Sequence, residues 1–381
     1  MTHTDYQSYI DLLRCAVFGS SLEARPPWRE IYPLSQRHNT PGALWHVARE
    51  REIAPKGRAM LEKEYLAAVA LRLEQEAARE ELFVALTERG IRHLPLKGQT
   101  MRALYPSPDL RQSTDVDFFY DKGREREVEE LLLSLGYTKV GTSAHDVEYL
   151  RGRVLVEAHH YLTSSAPRAA AYFGDVWHRL VTEDGILHAF SDEDYYVYMM
   201  HHTHKHFALS GGVGVRAVLD IAVYLTQKPA LDRKQVEEAL ASLGILDFTL
   251  AMERLARGWF LGGEMNEDLH LLGDYVVDSG AFGTPEMRAA LLATEHGGSA
   301  GKKQFFLRRM FPPLHVMQGT YRCLVRCPLL LPVMWVVRLF SALSPSRRAH
   351  MRRDMEYIRE MPAEEVERFR RVRAVAGLND L

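Results

Sequence analysis

Apolar residues recur at helical spacing near the N-terminus, at Tyr9, Leu12, Leu13 and Val17, which predicts a short amphipathic helix. A connector containing Pro26-Pro27-Trp28 follows. From about Arg58 to Arg89 the helical period returns, with Leu66, Val69 and Leu73 on one face and Leu82 and Leu86 continuing it. Gly90 is placed to close that helix in the left-handed conformation. The period then shortens. Ile91 to Leu96 reads as a short strand ending at Lys97-Gly98, and Val116 to Tyr120 as a second strand with acidic residues at its head. Arg124 to Leu135 is an amphipathic helix closed by Gly136, and Tyr137 to Val140 a further strand. Val147 to Leu150 and Arg153 to Ala158 flank Arg151-Gly152 and predict a hairpin.

Beyond Ser191 the pattern is helical again. Ser191 is a good N-cap, and Asp192, Glu193 and Asp194 suit the positive end of the helix dipole. This helix runs to about Leu209, where Gly211-Gly212 breaks it, and further helices are expected near 214–226, 232–243, 246–260, 266–278 and 284–294. The order predicts an α+β chain: a helical lead over 1–89, a small mixed-sheet domain over 90–190, a helical domain over 191–300 and a basic, apolar helical tail over 301–381.

A length of 381 residues suits two to three domains, and 46% hydrophobic with 26% charged residues excludes a mostly disordered chain. Three cysteines, Cys15, Cys323 and Cys327, make no disulfide framework, and no basic, then apolar, leader opens the sequence, so a reducing, cytoplasmic setting is expected. No apolar run reaches the roughly 18–20 residues of a spanning helix. Pro328 to Leu343 comes nearest, and it contains Arg338 and two prolines. The net charge of −2 hides a division: Gly301 to Arg353 holds eleven Lys and Arg and no Asp or Glu, leaving a balance of −13 elsewhere.

The chemistry concentrates between Leu94 and Phe119. Asp115 and Asp117 are i and i+2 at the head of an apolar strand, so both carboxylates point to one face. Such a pair repels unless a cation sits between, and oxygen ligands suit Mg²⁺ or Mn²⁺. A glycine upstream lets backbone approach a phosphate closely. Glu157, ending Val154-Leu155-Val156 and followed two residues later by His159, is the candidate third acid on a neighbouring strand. By itself, Asp-x-Asp after a threonine is more often a strand-entry turn.

Together these residues resemble the nucleotidyltransferase superfamily of DNA polymerase β type, and within it a largely uncharacterised bacterial family with Lys-Gly in place of Gly-Ser. The elements are Leu96-Lys97-Gly98, Tyr105-Pro106, Arg111, Asp115-Val116-Asp117, Gly136-Tyr137 and Glu157-Ala158-His159. His202, Lys205, His206, Arg216 and Asp220 match the later His-x-x-Lys-His and Arg-x-x-x-Asp elements. The resemblance covers roughly 60–230. Two departures are Gln99 after the glycine, with a long spacer to Asp115, and Glu157 where Asp is commoner. The resemblance implies a polymerase β-like core in which Asp115, Asp117 and Glu157 bind Mg²⁺ or Mn²⁺, Glu157 also polarising the acceptor hydroxyl. Gly98 and Gln99 would face the triphosphate, and Lys97 or Arg111 would neutralise it. The implied reaction moves an NMP from an NTP, ATP being the expected one, to an acceptor hydroxyl with release of pyrophosphate. A small hydroxylated acceptor is favoured. A toxin-like transferase acting on tRNA or protein, and a non-catalytic nucleotide-binding or membrane-peripheral scaffold, are the alternatives.

The run His201-His202-Thr203-His204-Lys205-His206 has i, i+4 histidines, but no second ligand cluster completes a tetrahedral metal site. Its helix is expected beside the active site, offering His202, Lys205 and His206 to nucleotide or acceptor, with His159 alongside; histidines hydrogen-bonded in a helix interface are a reading of equal weight. Arg216 and Asp220, also i, i+4, read as a pair in which Asp220 orients Arg216 towards a phosphate. Gly297 to Lys303 imitates a phosphate-binding loop but has His296 in place of its first glycine and Lys303 in place of Ser or Thr. Cys323 and Cys327 are expected as buried thiols. In the tail, Phe305, Phe306, Trp335 and Phe340 interleave with Arg308, Arg309, Arg322, Arg326, Arg338, Arg347 and Arg348. Helices packed on the bundle with snorkelling arginines, peripheral contact through 301–353 with an anionic membrane at its inner face, and a nucleic-acid groove are its three readings; the acidic remainder disfavours the last.

Overall fold

The computed structural model describes residues 3–22, 26–51, 55–143, 145–163, 167–294, 310–321, 323–341, 357 and 361–378. Three helices open the chain, α1 (His3–Phe18), α2 (Trp28–His38) and α3 (Pro41–Ala48), before the long α4 (Pro55–Glu88). Then come β1 (His93–Pro95), α5 (Gly98–Arg102), β2 (Asp115–Tyr120), α6 (Glu125–Ser134), β3 (Thr138–Thr142), β4 (Asp146–Arg151) and β5 (Val154–His159). After α7 (Pro167–Phe173) and a two-stranded ribbon, β6 (Val181–Thr182) and β7 (His188–Ala189), the chain is helical: α8 (Asp192–Ser210), α9 (Val215–Gln227), α10 (Arg233–Leu243), α11 (Leu246–Phe260), α12 (Glu267–Ser279) and α13 (Pro285–Ala293). The described tail adds α14 (Leu314–Thr320), α15 (Cys323–Arg326), α16 (Leu331–Ser341) and α17 (Ala363–Val375). The architecture is α+β, mostly helical, around a mixed sheet of order β1-β2-β5-β4-β3.

Only β2 and β5 run parallel; the other pairs are antiparallel. Alternation along these strands divides the sheet chemically. Val116, Phe118 and Tyr120 on β2 and Val154, Val156 and Ala158 on β5 are buried against Ala78, Leu82 and Leu86 of α4 and Val128, Leu131 and Leu132 of α6. The intervening residues, Asp115 and Asp117 on β2 and Glu157 and His159 on β5, therefore share the opposite face.

The buried stripe of α4 is Leu61, Gln75, Ala78, Leu82 and Leu86. Leu66 and Leu73, expected on the apolar face, are instead more than half exposed. The sheet underlies only the second half of this helix, and Ala67, Ala68, Ala70, Ala77 and Ala78 spread small apolar residues around its circumference. The helix caps follow expectation: the Ser191 hydroxyl accepts from the Asp194 N–H at 3.1 Å, and Gly211 ends α8 at φ 90°.

α1 to α3, α8, α9, α11, α12 and α17 share one apolar core, in which Tyr6, Tyr9, Tyr196, Phe207, Phe248 and Tyr275 are among the largest fully buried side chains. The N-terminal lead thus packs into the helices that follow the sheet. Cys323 and Cys327, expected buried, are both exposed. The stretch Gly297 to Lys303 and most tail arginines lie outside the described residues. No helix among the described residues is long and apolar enough to cross a membrane.

Candidate active site

The acidic face of the sheet is roofed by α8 and α9, leaving a cavity of about 430 Å³. Register places its acids: Asp117 lies opposite Glu157 across the parallel β2–β5 pair, and Asp146 opposite His159 across β4–β5. Asp117, Glu157 and His159 present ligand atoms all within 4.8 Å of one another, a group able to hold a metal ion. His159 Nε2 lies 2.9 Å from Asp117 Oδ1 and 3.3 Å from Glu157 Oε2, and its Nδ1 is 3.8 Å from Asp146. Asp115 lines the same cavity outside this tight group, accepting hydrogen bonds from the Ser113 and Thr114 hydroxyls at 3.1 and 3.2 Å.

Lys97 crosses the cluster. Its Nζ is 2.8 Å from Asp117 Oδ1 and 3.6 Å from Glu157 Oε2. Burial works against this ammonium, but Asp117, Glu157 and Asp115 outweigh it and hold the pKa above the ordinary lysine range. Burial and neighbouring Asp117 push the Asp115 carboxyl up, whereas the His159 hydrogen bond holds Glu157 down. Burial opposes charge on His159, and its bonds to Asp117 and Glu157 raise its pKa nonetheless. A field that collects two basic side chains around carboxylates is one that favours a cation.

The turn carrying Lys97 is strained and braced. Lys97 has φ 44°, a left-handed conformation that costs a non-glycine residue about 1–3 kcal/mol. The Tyr195 hydroxyl donates to the Lys97 carbonyl at 2.8 Å, and Arg111 Nη1 to the Gly98 carbonyl at 3.0 Å. Arg111 is gripped in turn by Asp220 through Nε at 2.8 Å and Nη2 at 2.9 Å, while the Tyr105 hydroxyl donates to the same carboxylate at 2.7 Å. A Cβ on Gly98 would lie 2.4 Å from the Ser113 hydroxyl. Glycine is therefore required for closeness to the residue that holds Asp115.

Twelve of the residues expected at a site line this one cavity: Lys97, Gly98, Arg111, Asp115, Asp117, Glu157, His159, His202, Lys205, His206, Arg216 and Asp220. Gln99 does not line it. The expectation that Asp220 orients Arg216 is corrected: Asp220 clamps Arg111, and Arg216 Nη1 donates to the Gln112 carbonyl at 2.8 Å while facing the cavity. The bidentate geometry and the Tyr105 hydroxyl favour the partner distant in sequence. Sequence reasoning missed Asp146, Tyr195 and Tyr198 as lining residues. Counting back along the predicted hairpin pairs Asp146 with His159 and was the available signal for the first.

The histidines of α8 are packed, and burial keeps them neutral: His201, His204 and His206 fall to about 4, and His38, beneath the start of α9, to about 3. Their folded pKa values lie below the unfolded ones, so the unfolded chain binds more protons as the pH falls below about 6.5. Stability is accordingly fully present above pH 6.5 and is lost progressively towards pH 4. A urea midpoint that drops steeply between these values is the expected result, and a flat midpoint would contradict these burials.

A model of the family described as uncharacterised nucleotidyltransferases matches residues 25–261. No curated protein and no solved structure matches the chain. The matched span contains the whole acidic face, the Lys97-Gly98 turn and the roof helices α8 and α9, and the chain belongs to this uncharacterised nucleotidyltransferase family.

Proposed function

We propose that the protein is a divalent-metal-dependent nucleotidyltransferase that moves an NMP from an NTP, with ATP the expected donor, to the hydroxyl of a small acceptor. The observation that carries this reading is the register of β2 against β5, which sets Asp117 beside Glu157 on the cavity face, next to the Lys97-Gly98 turn. Asp117 and Glu157, with Asp115 on the same strand face, would hold Mg²⁺ or Mn²⁺. Bound there, such an ion polarises the α-phosphate and favours the leaving pyrophosphate.

The chain's own residues supply the rest. Gly98 opens the backbone to the triphosphate, and Lys97 and Arg216 offset its charge. Arg111 and Asp220, buried and paired, hold the turn in place, as does Tyr195. Glu157 polarises the acceptor hydroxyl. The acceptor oxygen forms a bond to the α-phosphorus as the bond to the β-phosphate oxygen breaks, and the hydroxyl proton passes to Glu157 and then to solvent.

The test is thermal unfolding with each of the four NTPs, with and without Mg²⁺ or Mn²⁺. A ligand at about 100 times its Kd stabilises by about 2.7 kcal/mol. A metal-dependent shift with an NTP, absent from Asp115→Asn/Asp117→Asn, supports the reading. No shift with any NTP turns the case to a non-catalytic scaffold. Gly98→Ala should lower kcat/KM about a hundredfold by displacing Ser113 and with it Asp115, since small misplacements cost that much. Steady-state pyrophosphate release measures it, and an unchanged value would remove the turn from the site.

A further inference from the structure

The acids form a row across three neighbouring strands: Asp115 and Asp117 on β2, Glu157 on β5 and Asp146 on β4. Two cations face this row from the roof, one near each end. Arg216 of α9 interacts electrostatically with Asp220 and Asp115, and Lys205 of α8 with Asp146 and Glu157. Both line the cavity, and among the described residues neither has a carboxylate within 4.0 Å. A partly buried cation that meets its carboxylates only at a distance keeps its hydrogen-bonding positions open, so the cavity offers two places to receive negative charge.

The two ends differ. Arg216 stands over the Gly98–Ser113–Asp115 end, which takes the triphosphate under the function proposed above. Lys205 stands at the Glu157 end, where the acceptor hydroxyl reacts, one turn of α8 from His202 and beside His206. Burial keeps both histidines uncharged, and each neutral imidazole has one N–H to donate. An uncharged hydroxyl compound would leave Lys205 with no anion in direct contact.

Resting on that reading, we infer that Lys205, with His202 and His206, forms an acceptor subsite for an anionic group, so that the acceptor is a small hydroxy compound bearing a phosphate or a carboxylate. Calorimetry on the full chain tests this with inorganic phosphate, glycerol 3-phosphate, glycerate and glycerol, each titrated alone and in the presence of Mg²⁺ and a non-hydrolysable α,β-methylene NTP. The two phosphate probes, or glycerate, should bind where glycerol does not, and the stronger arm names the anionic group. Lys205→Met should weaken the anionic probes at least tenfold and change NTP analogue binding less than twofold. Equal binding of glycerol and its phosphate, no binding of any anion, or anion binding untouched by Lys205→Met overturns the subsite. Loss of NTP binding in the variant reassigns Lys205 to the triphosphate and also overturns it. Failure of the NTP analogue to bind the native protein removes the transferase reading instead, and the phosphate titration alone still decides whether Lys205 binds an anion.

A separate observation concerns the tail. Leu329, Leu330, Val333, Val336 and Val337 are all exposed, Leu329 at 88%, and the last three share one face of α16 by helical spacing. α16 packs chiefly on α14 and the turn before it. The stripe lies within the stretch of eleven basic and no acidic residues. We propose that it seats in the surface of an anionic bilayer, the net basic charge of the flanking sequence choosing the partner. Flotation of the full chain with vesicles should show binding to phosphatidylcholine containing 30% phosphatidylglycerol and little to phosphatidylcholine alone. Val333→Asp/Val336→Asp, both at exposed sites, should abolish it with Tm unchanged. Equal binding to both vesicles, no binding, or a native dimer that the variant breaks would overturn the proposal.

Discussion

Under the proposed function, Asp117→Asn should lower kcat/KM for nucleotidyl transfer by about a thousandfold or more, with the chain still folded. Asp117 is at once the most buried acid of the site, the closest partner of Lys97 and the acceptor for His159. Losing its charge would remove a ligand from the proposed ion, whose transition-state stabilisation of several kcal/mol is three or more decades in rate. Lys97 keeps Glu157 at 3.6 Å, so the ammonium is not stranded and the cost in stability is smaller than the cost in activity. Pyrophosphate release read beside Mn²⁺ binding checks this: both fall in the variant. A variant that retains either one would take Asp117 out of the metal site.

The largest effect on stability is expected at a pair that does no chemistry. Arg111 and Asp220 are buried, doubly bonded and 109 residues apart, joining the strand entry to α9. Removing one partner leaves an uncompensated buried charge and should cost about 3–5 kcal/mol. Replacing both by apolar residues should cost less than the two single losses together. Asp220→Ala, Arg111→Met and Arg111→Met/Asp220→Leu, compared by urea unfolding, test this as a double-mutant cycle. Additive losses would mean that the two side chains stand independently. All three variants should lose activity, because Arg111, which anchors the Gly98 carbonyl, is either removed or left without the carboxylate that holds it.

What could be read before the structure was local. The cap at Ser191, the break at Gly211 and the hairpin at Gly152 depend on a few adjacent residues, and each falls where the chain places it. The i, i+2 rule put both aspartates on one face, and resemblance brought together twelve residues that line one cavity. Pairings across long separations were less accessible. Arg216 and Asp220 offered themselves as neighbours on a helix, but Arg111 reaches the carboxylate with a two-point grip that local spacing cannot reveal. Periodicity identified α1 as amphipathic without saying what covers it, and its cover is the set of helices that follow the sheet. In α4 the alanines blur the period, so Leu66 and Leu73 were assigned to a face they do not bury. The resemblance places Gln99 with Gly98 at the triphosphate, but Gln99, on α5, is not among the residues lining the cavity.

Under the proposed function, the face holding Asp115, Asp117 and Glu157 binds a divalent ion together with the phosphates of an NTP. Crystals grown with Mn²⁺ and an α,β-methylene NTP test it most directly through the anomalous signal of manganese. The expected result is a manganese peak against Asp117 and at least one of Asp115 and Glu157, with the triphosphate running past Gly98 towards Arg216. Manganese elsewhere, or a nucleotide outside this cavity, would contradict it.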